Sequence, residues 1–515
     1  MDKKTNNKNK ESTIYADIDI NLNNLKKIIG KSDDIVFREF KISEHIGIRA
    51  FACFVEGLVD KEVLDFNIIR TLIHENITMV NNIERSLVDS VFSTMNSTVE
   101  KDFNKVLNEI LSGKVALFID SCCFVIIMDI RKWAQRNIEE PNTEAAVRGS
   151  REGFTETLRV NTAMIRRIIE SPNLVFEPFA IGKRTNTKIN IAYIDDVADM
   201  KVVDEVRQRL SRIDTDAILE SGYVEQFIED NSFSLFATVG NSERPDKVAA
   251  KILEGRIAIL CDGTPFVLTV PHLFIENFQV NEDYYSRPFL SSLIRLIRLL
   301  AFITNLTLPA VYIAIETFHQ EMIPTVLILT AASAREQTPF PAVVEVIIME
   351  IFFQLIRESG VRMPRSLGQT VSIIGTLVIG EAVVQAGIIG APMIIISALS
   401  SICSFIIPSI FDSTTCFRYI LIVLSSIAGL YGIILGIIFM IVHLCSLRSF
   451  GSPYFSPIAP MNLEGLKDSF IRAPLWLMKL RPKSITWKNL KKQKVSTLKP
   501  NKPNKPDEKN GGWNK

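Results

Sequence analysis

The sequence lacks the short motifs that mark common catalytic sites. Its 515 residues contain no P-loop, HExxH, GxGxxG or GxSxG. The five histidines (His45, His74, His272, His319, His443) are scattered, so neither a metal centre nor a nucleophile triad has a local signature. The expectation is no catalytic residue, no metal, no cofactor and no enzyme. Seven cysteines without a CxxC pair support neither a disulfide framework nor a zinc site, and suit a reducing compartment. The polar start MDKKTNNKNKEST has no apolar run behind it, which predicts no cleavable signal and a cytosolic region up to about residue 285.

Charge is missing from two long stretches. Val371 to Phe411 carries one formal charge, Glu381, and Tyr419 to Leu447 carries none. A bilayer core of ~30 Å needs roughly 20 apolar residues at 1.5 Å rise, so a purely soluble protein is excluded. The net charge of +1 hides a contrast. Arg448 to Lys515 holds 15 Lys/Arg against 4 Asp/Glu, a tail of +11 that leaves −10 for everything before it. Beside a final membrane helix this reads as positive-inside bias rather than as nucleic-acid binding.

What is present divides the chain. Residues 1–13 are rich in Lys and Asn and read as disordered. From 14 to 285 the pattern is mixed α/β, with helices predicted over Asp17–Ile29 and Lys61–Ile73 and a strand over Ile46–Val55. The half also repeats itself. Gly113-Lys-Val-Ala-Leu-Phe-Ile-Asp120 recurs as Gly255-Arg-Ile-Ala-Ile-Leu-Cys-Asp262, and Phe54–Asp65 aligns with Tyr193–Asp204, pairing Asp60 with Asp199. The expectation is two α/β subdomains, 14–140 and 141–285, related by duplication. The linking stretch Arg148–Asn173 predicts a helix capped by Thr155, from which Arg151, Arg159, Arg166 and Arg167 project. They read as a solvated or intersubunit face, with a grip on phosphate or acidic lipid as the rival.

A helical membrane domain is predicted over 286–447, then the basic tail 448–515. Its first span follows Arg287, Arg295 and Arg298 and contains Pro309. Glu316–Glu336 is too mixed for a clear crossing, and residues 371–411 hold two spans broken at Gly387–Pro392. The last helix, Tyr419–Leu447, is long enough to tilt, and its Gly429, Gly432 and Gly436 allow close helix contact. Five full crossings would leave the tail outside; an even number requires one re-entrant segment. Ser397, Ser400, Ser401 and Ser404 share one helical stripe, and Glu381 and Gln385 sit one turn apart before it. These six either line a hydrated path for cations or serve close packing and internal bonding.

Several long strings resemble the A-subunit family of GerA-type spore germinant receptors. They are Pro339–Ser409, Arg148–Ile169, Phe318–Thr325, His443–Pro460 and Ser286–Leu300, within a likeness covering about 14–482. Ser150 and Ile168 depart from the family's usual Pro and Arg. The resemblance implies an α+β and membrane fold: two tandem α/β cytosolic subdomains, then a polytopic α-helical transmembrane domain, in the spore inner membrane. It also implies a transporter-like B subunit and a lipoprotein C subunit as partners, and contact with membrane lipid. The A subunit would form a homo-oligomer, a pentamer, releasing monovalent cations when a nutrient binds. A secondary transporter and a non-conducting signalling subunit stand as alternatives.

Overall fold

The computed structural model describes residues 13–43, 47–74, 97–132, 141, 144, 148–324, 338–362, 382–478, 480–482 and 485–486. The first half is two antiparallel five-stranded sheets with the same strand order. Helix α1 (Ile18–Ile29) precedes strands β1 (Ile35–Ile42) and β2 (Ile48–Val55). A π-helical stretch, Val63–Ile69, leads into α2 (Arg70–His74), so the helix predicted from Lys61 is largely π-helical. Then come β3 (Ser97–Glu100), α3 (Phe103–Leu111), β4 (Val115–Ile119) and β5 (Val125–Met128), in the sheet order β1-β2-β4-β5-β3.

The second set is α4 (Leu158–Ile168), β6 (Leu174–Ile181), β7 (Thr187–Ile194), α5 (Met200–Arg212), α6 (Ser221–Ile228), β8 (Gly240–Ser242), α7 (Pro245–Leu253), β9 (Ile257–Cys261) and β10 (Val267–Val270), ordered β6-β7-β9-β10-β8. The first hairpin pairs Ile35 with Val55 and the second pairs Leu174 with Ile194, 139 residues on at both ends.

The repeated residues have repeated jobs. Gly113 and Gly255 take φ of +94° and +100°, left-handed values that end α3 and α7 without a Cβ clash. Asp120 accepts from the backbone N–H of Ile18 at the start of α1, and Asp262 accepts from Leu158 at the start of α4. Asp60 caps the π-helical stretch through the Glu62 and Val63 amides, as Asp199 caps α5 through Lys201. Helix α4 therefore begins at Leu158 with a carboxylate from another strand, and Thr155 bonds instead to Asn161.

The linking arginines do not all face water. Arg166 is 1% exposed and forks onto Asp34 at 2.7 and 2.9 Å, with Ser32 and the Ser171 and Leu174 carbonyls as further acceptors. Arg159 pairs with Asp33 and Glu56, Arg167 pairs with Glu152, and Arg151 is exposed. The interface that Arg159 and Arg166 hold is thus within the chain, between the two sheets. Removing the guanidinium would strand a fully buried Asp34, so Arg166→Ala is expected to cost about 3–5 kcal/mol. Thermal unfolding of the full chain checks this, and Arg166→Lys should recover only part because it cannot reproduce the fork.

Four helices make the second layer: α8 (Pro288–Phe318), α9 (Ala342–Arg362), α10 (Ala391–Phe405) and α11 (Phe411–Ser446). Their contacts fix direction. Phe302 packs on Phe274 and Phe278, Asn305 faces Thr414, the Ala310 carbonyl accepts from Ser425, and Gly429 abuts Phe318. Helix α8 and residues 411–428 therefore run side by side away from the sheets. At Gly429 (φ +59°, ψ −138°) the helix breaks. Gly432 then lies against the Leu424 carbonyl and Gly436 against the Leu421 side chain. In a straight helix residues 421 and 436 would stand about 22 Å apart. The uninterrupted last helix expected over Tyr419–Leu447 is instead a hairpin, and the glycines pack against its own first half. Its returning arm ends where His443 bonds Ser234, back beside the sheets.

Candidate functional site

The helical layer is apolar outside and holds a polar knot inside. Pro309, buried in α8, has no N–H to give the carbonyl of residue 305. That carbonyl accepts from the Ser400 hydroxyl of α10 at 3.2 Å. Arg418 of α11 donates to the Asn305 side chain at 2.7 Å and to Ser400 at 3.1 Å. Its other terminal nitrogen pairs with Glu350 of α9 at 2.8 Å. Asn305 also donates to Thr414 at 3.4 Å. Glu350, Arg418, Asn305 and Ser400 are all at most 5% exposed, so each of the four helices gives at least one buried polar group to one network. In an apolar bundle such groups are costly unless they satisfy one another.

The satisfaction is incomplete. Among the described residues, Glu345 Oε1, Ser397 Oγ, Thr415 Oγ1 and Arg418 Nε are buried without a hydrogen-bond partner. Glu345, one and a half turns before Glu350 on α9, reaches the Gly390 amide at 3.4 Å where α10 begins. A polar seam thus runs along α10 from Gly390 past Ser397 to Ser400.

This arrangement assigns places to the residues expected to line a path. Ser397, Ser400 and Ser404 are buried against the chain's own bundle, and Ser401 is half-buried. Ser404 donates to the Ser401 carbonyl, the internal bonding that was the rival expectation. Gln385 is exposed in the short turn Val383–Gln385. Glu381 lies outside the described residues, as do 363–380 and the 325–336 part of the mixed segment. Sequence reasoning missed Asn305 and the pairing of Glu350 with Arg418. Pro309, which inside a helix must free a carbonyl, was the available signal for Asn305.

A second network joins the sheets to this layer. Buried Glu276, in the turn Phe274–Phe278, accepts from Arg256 at 2.8 Å and Lys251 at 3.1 Å, with His272 at 3.3 Å. Burial alone would raise its carboxyl, but the Arg256 and Lys251 charges hold it well below the usual carboxylate range. Burial lowers His272 against the pull of Glu276. The tail closes onto the same region. His272 N–H donates to Ser449, Phe274 N–H to the Tyr454 carbonyl, and Arg295 of α8 bridges Asp283 and Asp468 at 2.9 Å each. The described part of the tail therefore lies on the side of the sheets. Helices Pro288–Phe318 and Pro408–Ser446 are each long and apolar enough to cross a membrane, the second being the one folded at Gly429.

Comparison with known proteins finds one family over nearly the whole chain. The family model described as Bacillus/Clostridium GerA spore germination protein matches residues 23–484. Spore germination protein KA of Bacillus subtilis (strain 168) is 46% identical over 468 residues, covering 90% of this chain and 86% of that protein. The uncharacterized membrane protein YfkQ of the same strain is 45% identical over 476 residues, 92% of each. A crystal structure of the N-terminal domain of the A subunit of the Bacillus megaterium spore germinant receptor GerK3 is similar at 36% identity. It covers 51% of this chain and 98% of that one, with a TM-score of 0.42.

Proposed function

This chain belongs to the GerA family of spore germination proteins, the germinant-receptor A subunits, and from that premise we propose that it is a nutrient-gated cation channel subunit. The single observation that carries the reading is the Asn305–Glu350–Ser400–Arg418 network. An apolar helical layer keeps charged and hydroxyl groups from all four helices in one seam, where a purely structural bundle would be cheaper without them. In the closed form the Arg418 guanidinium fills the cation position beside Glu350. Nutrient binding on a transporter-like partner subunit biases the helices apart by its differential affinity for the two states. Ser397, Ser400, Ser401 and Ser404, with Glu381 and Gln385 near the break, then meet water and monovalent cations pass. Several copies assemble in the spore inner membrane with transporter-like and lipoprotein partners.

The topology that goes with this reading has an even number of crossings. Helix α8 leaves the sheet side, and the second arm of α11 returns to it. The Arg295–Asp468 pair supports this, since it ties the first helix and the tail to one side. The two sheets are read as duplicated cytosolic units divided near 140/141. The test is ion efflux from liposomes holding the purified receptor complex. Nutrient should release monovalent cations at rates that do not saturate as a transporter's do. A complex that binds nutrient and stays tight overturns conduction.

A further inference from the structure

Between α6 and β8 the chain makes a loop that is pinned on both sides of one turn. Asn231 closes the turn: its carbonyl accepts from the Ser234 N–H at 3.1 Å, and its side-chain oxygen accepts from the Phe233 N–H at 3.3 Å. On the near side Asp230 pairs with Arg209 and accepts from the Phe450 N–H, both at 2.6 Å. On the far side Ser234 bonds His443 of α11 at 3.0 Å. Two residues later the buried Phe236 ring packs on Phe274 and His443, within the core of the helical layer. The turn is therefore fixed at the foot of the returning arm of α11.

A turn held this way points its corner outward. Phe233 is 100% exposed and Leu235 38% exposed, and the tip Asn231–Leu235 carries no charge. The neighbouring surface says what covers them. On the returning arm Tyr431, Ile434, Ile438, Phe439, Ile441 and Val442 are exposed. At 100° per residue these six spread over about 160° of the helix, too broad a band for one helix-packing seam. The other side of the arm is already packed, through Gly432 and Gly436, on the first half of α11. His443 follows Phe439 by one turn and stands at the edge of that band. The Ser234–His443 bond thus sets the Phe233 ring beside the last turn of a lipid-facing surface.

We propose that the Asn231–Leu235 turn is a wedge into the bilayer surface, with Phe233 and Leu235 entering the boundary between headgroups and acyl chains. The occupant follows from continuity: the ring and the band on α11 adjoin, so the lipid that covers one covers the other. Aromatic side chains favour that boundary. The tip has no base with which to grip an anionic headgroup, so the contact is apolar and does not require acidic lipid. The wedge ties the second sheet unit to the membrane at a point away from the covalent link into α8. It rests on the reading above that α11 crosses the membrane, and adds a membrane contact made by the sheet-bearing half.

The experiment uses the full chain in phosphatidylcholine bilayers, with the exposed Cys123, Cys416 and Cys445 changed to Ser. A nitroxide is attached singly at Phe233→Cys, at Phe439→Cys on the returning arm, and at Arg184→Cys, an exposed position in the turn between β6 and β7. Collision with oxygen, which concentrates in lipid, is compared with collision with a water-soluble nickel chelate. Oxygen should exceed nickel several-fold at 233 and 439, and nickel should exceed oxygen at 184. Free access of nickel to 233 overturns the wedge. Low collision with both reagents at 233 also overturns it, because protein, a second copy included, then covers the ring. A label in lipid at 439 and in water at 233 refutes the wedge and leaves the crossing by α11 standing. Water at 439 removes the crossing, and the wedge with it. Because the label at 233 replaces the ring, Ser232→Cys is labelled with and without Phe233→Asp. The added charge should move that label from lipid into water, and a label that stays in lipid overturns the role of Phe233.

Discussion

An Arg418→Ala variant is expected to lose about 3–5 kcal/mol of stability, because it leaves the Glu350 carboxylate buried beside no cation. Glu350 is 3% exposed, and no other basic group pairs with it among the described residues. The loss reaches further than one pair. Asn305 and Ser400 would each lose an Arg418 donor, so α8, α9 and α10 lose a shared point of contact with α11. Arg418→Lys should recover a minority of the loss, since one ammonium cannot span Glu350, Asn305 and Ser400 together. The informative comparison is Glu350→Leu combined with Arg418→Met. Replacing a buried ion pair by apolar groups of similar volume is often neutral or stabilising by 1–4 kcal/mol. The double variant should therefore unfold at or above the wild-type midpoint in detergent, and the single variant well below it. If Arg418→Ala costs less than about 1 kcal/mol, the pair behaves as a solvated surface pair and the seam is already wet. A stable double variant that no longer releases cations would assign the pair to gating rather than to folding.

The repeat could be read from the sequence because it is local and chemical. Gly113 and Gly255 recur because both chain reversals need a left-handed residue, and Asp120 and Asp262 because each caps the helix beginning its own unit. The offsets of 139 and 142 between repeats are those separating the paired strands. Arg166 could not be placed that way. Its neighbours spell a charged surface, and only the fold brings in Asp34 from 132 residues away. The serine stripe marks the intermediate case. Helical spacing puts Ser397, Ser400 and Ser404 on one face, but hydroxyls suit a packed face and a wet one equally. Only the fold shows that α8 lays the carbonyl freed by Pro309 against Ser400. Glycine spacing in α11 likewise signals a close approach without naming the partner. The +11 tail held that information indirectly, since on the proposed topology keeping it on the sheet side requires one more passage than a straight last helix provides.

That extra passage makes Gly432→Val the second large effect. An added Cβ at 432 would run into the Leu424 carbonyl oxygen and stand 2.7 Å from its carbon, both backbone atoms that cannot turn aside. The two arms of α11 must then separate. Overpacking of this kind typically costs 1–3 kcal/mol when side chains can yield, and backbone leaves less to yield. Gly429→Ala should also destabilise, by roughly 1–3 kcal/mol, because φ +59° with ψ −138° is a conformation that side chains rarely adopt. Its Cβ would meet Phe318 and His319 at 3.0–3.1 Å as well. Gly360, exposed on α9 with nothing within 4 Å, is the matched control. Gly360→Ala should be neutral or gain up to about 1 kcal/mol of helix propensity. The measurement is accumulation in the membrane together with protease access to the tail from the two sides. An opened hairpin would have to carry the tail across the bilayer, and its fifteen basic residues oppose that passage. Gly432→Val should therefore reduce the amount of folded chain instead of inverting the tail. Normal accumulation with the tail exposed on the far side would mean that the returning arm is dispensable, and the even count of crossings would fall with it.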